Sequence, residues 1–218
     1  MSGPLRNSGP VAAMRSILAL LLWFVPVAAS AGDLSVTVRT PRGEPVADAV
    51  VTVSAPHAGP IHFPWAYKMA QRNIMFEPFV LVVPVGAEVA FPNYDNIRHQ
   101  VYSFSPAKTF ELKLYGREET HTVRFDKPGV VQLGCNIHDG MIAFIVVVDT
   151  PYAAKTNAQG VAEIADVPVG AQAVTVWRPY LHAPGGALTQ TVQIPREGAA
   201  RLTVTADVRT PPERHQMY

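Results

Sequence analysis

From Cys135 to Met141 the chain reads Cys-Asn-Ile-His-Asp-Gly-Met, so a thiol, an imidazole and a thioether lie close together. Cys135 is the only cysteine in 218 residues. A second imidazole, His99, opens the stretch His99-Gln100-Val101-Tyr102-Ser103-Phe104, just after a segment rich in Asn and Asp. Two His, one Cys and a weak axial Met form the donor set of a one-electron copper site. The sulfurs favour Cu(I), and imidazole suits both oxidation states. Zinc would have no use for the Met. The expected ligands are therefore His99, Cys135, His138 and Met141, around one type 1 copper ion. Such a set leaves no open position for substrate, so the expectation is electron transfer and not an enzyme. No Ser-His-Asp order, phosphate loop or paired-carboxylate motif stands out.

A loop of this kind needs strands on either side to hold it. Val130 to Leu133 and the β-branched run Ile142 to Val148 flank it and read as strands, the second of the buried type. Upstream, Val80 and Val82 lead to a turn at Gly86, Val89-Ala90-Phe91 reads as a strand, and Thr120 to Phe125 alternates. With Pro128-Gly129 as a turn, residues 71–149 read as one compact β-unit. Residues 34–53 alternate as two short strands around Pro41-Arg42-Gly43. Residues 57–70 form an irregular linker. Residues 150–208 are β again, with turns at Thr156 to Gly160 and at Pro168-Val169-Gly170, and Trp177 is expected in their core. The segment 209–218, with Pro211-Pro212, is expected to be a flexible tail.

The N-terminus has Arg6 and Arg15, an apolar run from Ile17 to Val27, and small residues at Ala29-Ser30-Ala31. This is the three-part pattern of a secretory signal peptide, so 1–31 is set apart from the fold. The apolar run is too short to span a bilayer, which takes roughly 20 residues. Its removal leaves 16 basic and 17 acidic residues, a net charge of −1. No clustered basic face suggests nucleic acid. Export places the chain outside the cytoplasm, periplasmic or secreted, where a lone thiol needs an occupant. A bound metal would provide one.

Two resemblances follow from particular residues. The segment Gly43 to Val53, Gly-Glu-Pro-Val-Ala-Asp-Ala-Val-Val-Thr-Val, resembles the opening of a carboxypeptidase-regulatory-like β-sandwich. Its continuation resembles Thr156 to Gly160, Pro168 to Gly170 and Trp177. That implies one small sandwich, 32–56 and 150–208, split around an inserted unit; the alternative is two tandem domains. The inserted unit, 71–149, resembles a cupredoxin. It carries Val83 to Asn93, similar to that family's V-x-x-G-x-x-V-x-F/W-x-N strand pair, and the short Cys-x-x-His-x-x-Met loop of amicyanin, shorter than that of plastocyanin. The whole chain is similar to exported proteins of the "methylamine utilization protein" type. The resemblance implies an all-β fold, a cupredoxin Greek-key β-sandwich plus a second small β-sandwich. It also implies His99, Cys135 and His138 as strong copper ligands and Met141 as the axial one. Where the family commonly has Asn after the first His, this chain has Gln100. Its backbone N–H is still expected to reach the Cys135 sulfur.

The partner implied is a redox protein, such as a c-type cytochrome or a dehydrogenase, docking around His138. No nucleic acid is expected, nor a membrane span in the mature form. An alternative is a periplasmic copper-handling protein that does not shuttle electrons. A third reading makes the second sandwich a binding module, with an apolar surface around Trp177 and Tyr180. His57 and His62, with Met69 and Met75, are weaker candidates for a second metal. His121 reads as an exposed strand residue. Asp95, Glu118 and Glu119 read as solvated loop charges, and Tyr94 and Phe104 as packing residues near His99.

Overall fold

The computed structural model describes residue 3 and residues 31–209. The expected signal peptide therefore lies outside the described residues except for Gly3 and Ala31, and so does the tail beyond Arg209. Ala31 already pairs with Pro168, so the first strand begins one residue before the expected boundary.

The chain is all-β. It starts with β1 (Ala31–Arg39) and β2 (Val50–Ser54), which never pair with each other. Nine strands follow: β3 (Ala70–Arg72), β4 (Met75–Glu77), β5 (Val80–Pro84), β6 (Ala87–Pro92), β7 (His99–Ser105), β8 (Lys108–Tyr115), β9 (Thr120–Phe125), β10 (Gly129–Leu133) and β11 (Ala143–Val148). Then come β12 (Ala153–Lys155), β13 (Val161–Pro168), β14 (Gly170–Trp177), β15 (Ala187–Ile194) and β16 (Ala199–Thr205).

The two opening strands find their partners after β11. β1 lies between β13 and β16, and β2 lies between β12 and β14, with β15 at the edge beyond β14. The alternation read in 34–38 has the expected consequence: Leu34, Val36 and Val38 are fully buried and face Val51, Val53, Val174 and Val176 of the opposing sheet. The turn at 156–160 closes on itself. Asn157 Oδ1 accepts the N–H groups of Gln159 and Val161. Gly160 has φ of 75°, and a Cβ there would lie 2.5 Å from the Val38 carbonyl oxygen, so glycine is required.

The middle strands bury a separate core of Phe91, Val101, Phe125, Leu133 and Ile145, which also takes in Cys135 and Met141. Its main sheet is β10-β11-β5, with β6-β9, β7-β8 and β3-β4 as further pairs. Four strands, β3, β4, β8 and β12, were not among those expected. β8 presents mostly charged and polar side chains outward. The β3–β4 hairpin is only three residues to a side, too short for its alternation to register. The linker 57–70 also ends inside this unit: Met69 is fully buried, and Tyr67 packs on the same core.

β11 is buried along its whole length, for a geometric reason. One face, Ala143, Ile145 and Val147, fills the middle core. The other, Phe144, Val146 and Val148, meets Val50, Ala153 and Trp177 of the outer sandwich. Each fully buried side chain of this size contributes about 1.5–3 kcal/mol, so this contact is a substantial one. Trp177 packs edge-on against Phe144 at 5.8 Å, with Tyr180 on the same ring at 6.3 Å. Both aromatics thus belong to a junction between the two sandwiches and do not form a free apolar surface. Among the described residues, no helix is long and apolar enough to cross a membrane.

Candidate metal centre

The loop before β7 is folded around Asn93. Its side-chain Nδ2 donates to the carbonyls of Ile97 (2.8 Å) and Tyr115 (3.1 Å), while Oδ1 accepts the Asp95 N–H (2.9 Å). This delivers His99, fully buried, to the end of the middle core. His99 Nε2 lies 2.8 Å from Asp95 Oδ2. The Asp95 carboxylate in turn accepts the backbone N–H groups of Asn73 (2.7 Å) and Ile74 (3.0 Å). Burial raises the Asp95 pKa, but the Ile74, His99 and Asn73 bonds outweigh it and hold the carboxyl below its ordinary value. An ionised Asp95 accepts a hydrogen bond from Nε2–H. The other ring nitrogen, Nδ1, is buried and makes no hydrogen bond. A desolvated lone pair without a partner is costly unless something occupies it.

Cys135 comes to the same place from the other side. Gly134 exchanges two backbone hydrogen bonds with Tyr102, each 3.0 Å, which carries the β10 chain onto β7. The Tyr102 ring lies across Gly134, and a Cβ there would come within 2.7 Å of it. Cys135 is 4% exposed. Its burial pushes the thiol pKa up, but His99, the backbone N–H groups of Gln100 and Ile137, and His138 overcome this and bring it down to about 6. For His99, burial disfavours the charged form, but Cys135 and Asp95 outweigh it and raise the pKa. His138 Nδ1 lies 3.8 Å from Cys135 Sγ, and the two imidazole rings are 5.0 Å apart.

One ligand atom each from His99, Cys135 and His138 therefore falls within 4.8 Å of the others. Met141 closes the loop. Its N–H donates to the His138 carbonyl at 3.0 Å, and its side chain is 1% exposed within the middle core. Met141 and Cys135 both line an outward depression with Tyr102 and Phe104. Phe104 is 81% exposed and leans on Tyr102 at 5.2 Å, so it is not the packing residue expected. Tyr94 is also exposed, with Arg72 4.9 Å and Lys68 5.7 Å from its ring centre.

The other candidates separate. His57 is exposed and bonded to the Asp149 carbonyl (3.1 Å), His62 is exposed, and Met69 is in the core. Among the described residues, the group of His, Cys, Asp and Glu side chains that could hold a metal ion is His99, Cys135 and His138, and it includes neither His57 nor His62. Glu118 pairs with Arg98 and Glu119 with His121 at the surface, in line with solvated charges. Asp95 departs from that expectation, because its side chain is only 13% exposed and is committed to His99. Its position four residues before His99 was the only signal in the sequence, and a weak one. Asn73 and Ile74 left no signal, since they act through backbone N–H groups.

The donor set fits a soft transition metal. Metal–ligand bonds of about 2.0–2.3 Å let one ion reach all three atoms after a small closure of the side chains. The bare, buried Nδ1 of His99 and the lowered thiol of Cys135 are the two features that such an ion would satisfy.

No family model matches the chain, and no curated protein does. Solved structures do. A Cu-containing nitrite reductase from Thermus scotoductus SA-01 is 26% identical, with a TM-score of 0.37. The match covers 45% of this chain and 26% of that one, so the chain spans only that part of the reductase. A purple cupredoxin from Nitrosopumilus maritimus is 19% identical with a TM-score of 0.34, over 37% of this chain and 98% of that one. A reduced amicyanin variant is 20% identical with a TM-score of 0.36, over 45% and 98%.

Proposed function

We propose that this chain is an exported copper protein that carries single electrons, with His99, Cys135 and His138 as the strong ligands and Met141 as the weak axial one. The observation that carries this reading is the convergence of an imidazole nitrogen without a partner, a lowered thiol and a second imidazole at one buried end of a β-unit. Bound copper would supply a centre that alternates between Cu(II) and Cu(I). The chain's own residues do the rest. Asp95 keeps the proton of His99 on Nε2, leaving Nδ1 to bind. The Gln100 and Ile137 N–H groups stabilise the thiolate. Buried Met141 and the surrounding core keep water away, so no solvent shell has to reorganise when charge changes. One electron arrives from a reduced partner and leaves to an oxidised one, with no bond made or broken in the protein. His138 is half-buried, with exposed Ile137 beside it (53%), and is the edge through which a redox protein would exchange the electron. In this reading 71–149 is a cupredoxin-type unit carried within a small sandwich formed by 32–56 and 150–208. The pairing of β1 and β2 with strands beyond β11 supports that division.

The test is the absorption spectrum of the chain with one equivalent of Cu(II), beside Cys135→Ala. An intense thiolate-to-copper band, bleached by reductant, restored by oxidant and missing from the variant, is the expected result. A folded chain without that band would overturn the proposal.

A further inference from the structure

The hairpin between β3 and β4 turns at Asn73 and Ile74, and both have left-handed backbones, with φ of 52° and 57°. Two left-handed residues in a two-residue hairpin loop are the type I′ pattern, which favours Asn-Gly. Asn at the first position is ordinary. Ile at the second is not, because a β-branched side chain at positive φ is strained.

The turn also performs a task beyond the hairpin. Successive N–H groups in such a conformation point to one side and form an anion-binding concavity. Here the N–H groups of Asn73 and Ile74 hold the two oxygens of one carboxylate, that of Asp95, with Oδ1 taking the first and Oδ2 the second. Oδ2 also accepts the hydrogen bond of His99 Nε2–H. The contact is anchored beside the turn, since Tyr94 N–H donates to the Gln71 carbonyl (2.9 Å) and Gln71 bridges to Asn93. A rigid turn, a carboxylate and a buried imidazole thus form one line that ends at the bare Nδ1 of His99.

We infer that the Asn73–Ile74 turn is a positioning element for the metal centre: by fixing Asp95 as an oriented anion it sets the tautomer, direction and donor strength of His99. The metal part of this inference rests on the copper reading; the tautomer part does not. A histidine that shares its far proton with a carboxylate is a stronger donor. A stronger donor favours Cu(II), so loosening the clamp raises the reduction potential.

The experiment compares the full chain with Ile74→Pro, which removes one N–H and cannot adopt positive φ, and with Ile74→Gly, which keeps both. Nitrogen NMR of His99 in the metal-free protein reads the tautomer, and voltammetry of the copper-loaded protein reads the potential. At a pH above the raised pKa of His99, wild type is expected to show the ring protonated at Nε2 only. Ile74→Pro should show a mixture of tautomers and a raised potential, and Ile74→Gly should restore both values. Unchanged tautomer and potential in a folded Ile74→Pro protein would overturn the inference. So would an Ile74→Gly protein that shifts as far as the proline variant. If Ile74→Pro does not fold, Asp95→Ala, which removes the acceptor, is measured instead. A His99 tautomer unchanged in that variant overturns the clamp. A chain that shows the tautomer effect but no thiolate-to-copper band retains the clamp and loses the copper reading.

Discussion

The hydroxyl of Thr156 donates to the Val46 carbonyl at 2.7 Å, across 110 residues of chain. The same oxygen accepts the Ala49 N–H at 2.9 Å, and Thr156 is 2% exposed. One side chain after β11 therefore satisfies two buried backbone groups that precede β2. Thr156→Val keeps the shape and leaves both groups unpaired. A buried group left without a partner costs about 1–3 kcal/mol. Chemical denaturation should show a loss in at least that range, with the metal-site spectrum of the folded protein unchanged. A loss near zero would mean that water replaces the hydroxyl.

Phe144 joins the two sandwiches. It packs on Phe79 at 5.6 Å as well as on Trp177 and Tyr180. Phe144→Ala removes the ring that the other three share, a change that costs about 3–5 kcal/mol in buried settings. Calorimetry is expected to show lower stability and a single transition broadened or split, because the two cores lose their coupling. A sharp single transition at the wild-type temperature would show that the contact carries little energy.

Gly134 lies under the Tyr102 ring, immediately before the thiol. In Gly134→Ala the added carbon pushes that ring, a form of overpacking that costs about 1–3 kcal/mol. Because Tyr102 shares the backbone ladder that carries Cys135, the substitution should also shift the thiolate-to-copper band. Tyr102→Ala in the same chain makes room for the methyl, so the double variant should lose less than the sum of the two singles. Additive losses would separate the ring from the effect.

The Cys135 thiol has its own pH signature in the metal-free protein. Its folded pKa of about 6 is depressed from the ordinary value of 9.0, because the hydrogen bonds to the sulfur outweigh its burial. A depressed pKa contributes stability that is complete above the unfolded value and is lost as pH falls through the folded one. The share of stability from this group should therefore be lost between pH 9 and pH 6 on acidification, and appears as the difference between the metal-free protein and Cys135→Ser. The thiolate's ultraviolet absorbance should titrate near pH 6 and vanish in Cys135→Ser. A midpoint near 9 would show that the N–H groups of Gln100 and Ile137 do not hold the sulfur.

The sequence by itself determined the β class and brought out the donor types of the candidate site. Alternation at Leu34, Val36 and Val38 has one structural meaning, because side chains on a strand point to opposite faces in turn. The types at positions 99, 135, 138 and 141 make a donor set suited to a soft metal, because thiolate, imidazole and thioether have distinct affinities. What lies close in sequence or repeats with a short period was legible. Tertiary structure decided the rest. Asp95 was an ordinary loop acid until the hairpin at Asn73 and Ile74 closed on it. Trp177 was an ordinary core residue until Phe144 gave it a partner from another sheet. Phe104 looked like packing and faces solvent, because β7 turns that position outward. These outcomes depend on contacts between segments far apart in the chain and, at Asn73 and Ile74, on backbone N–H groups that every residue but proline carries. Side-chain identity therefore gave no sign of them.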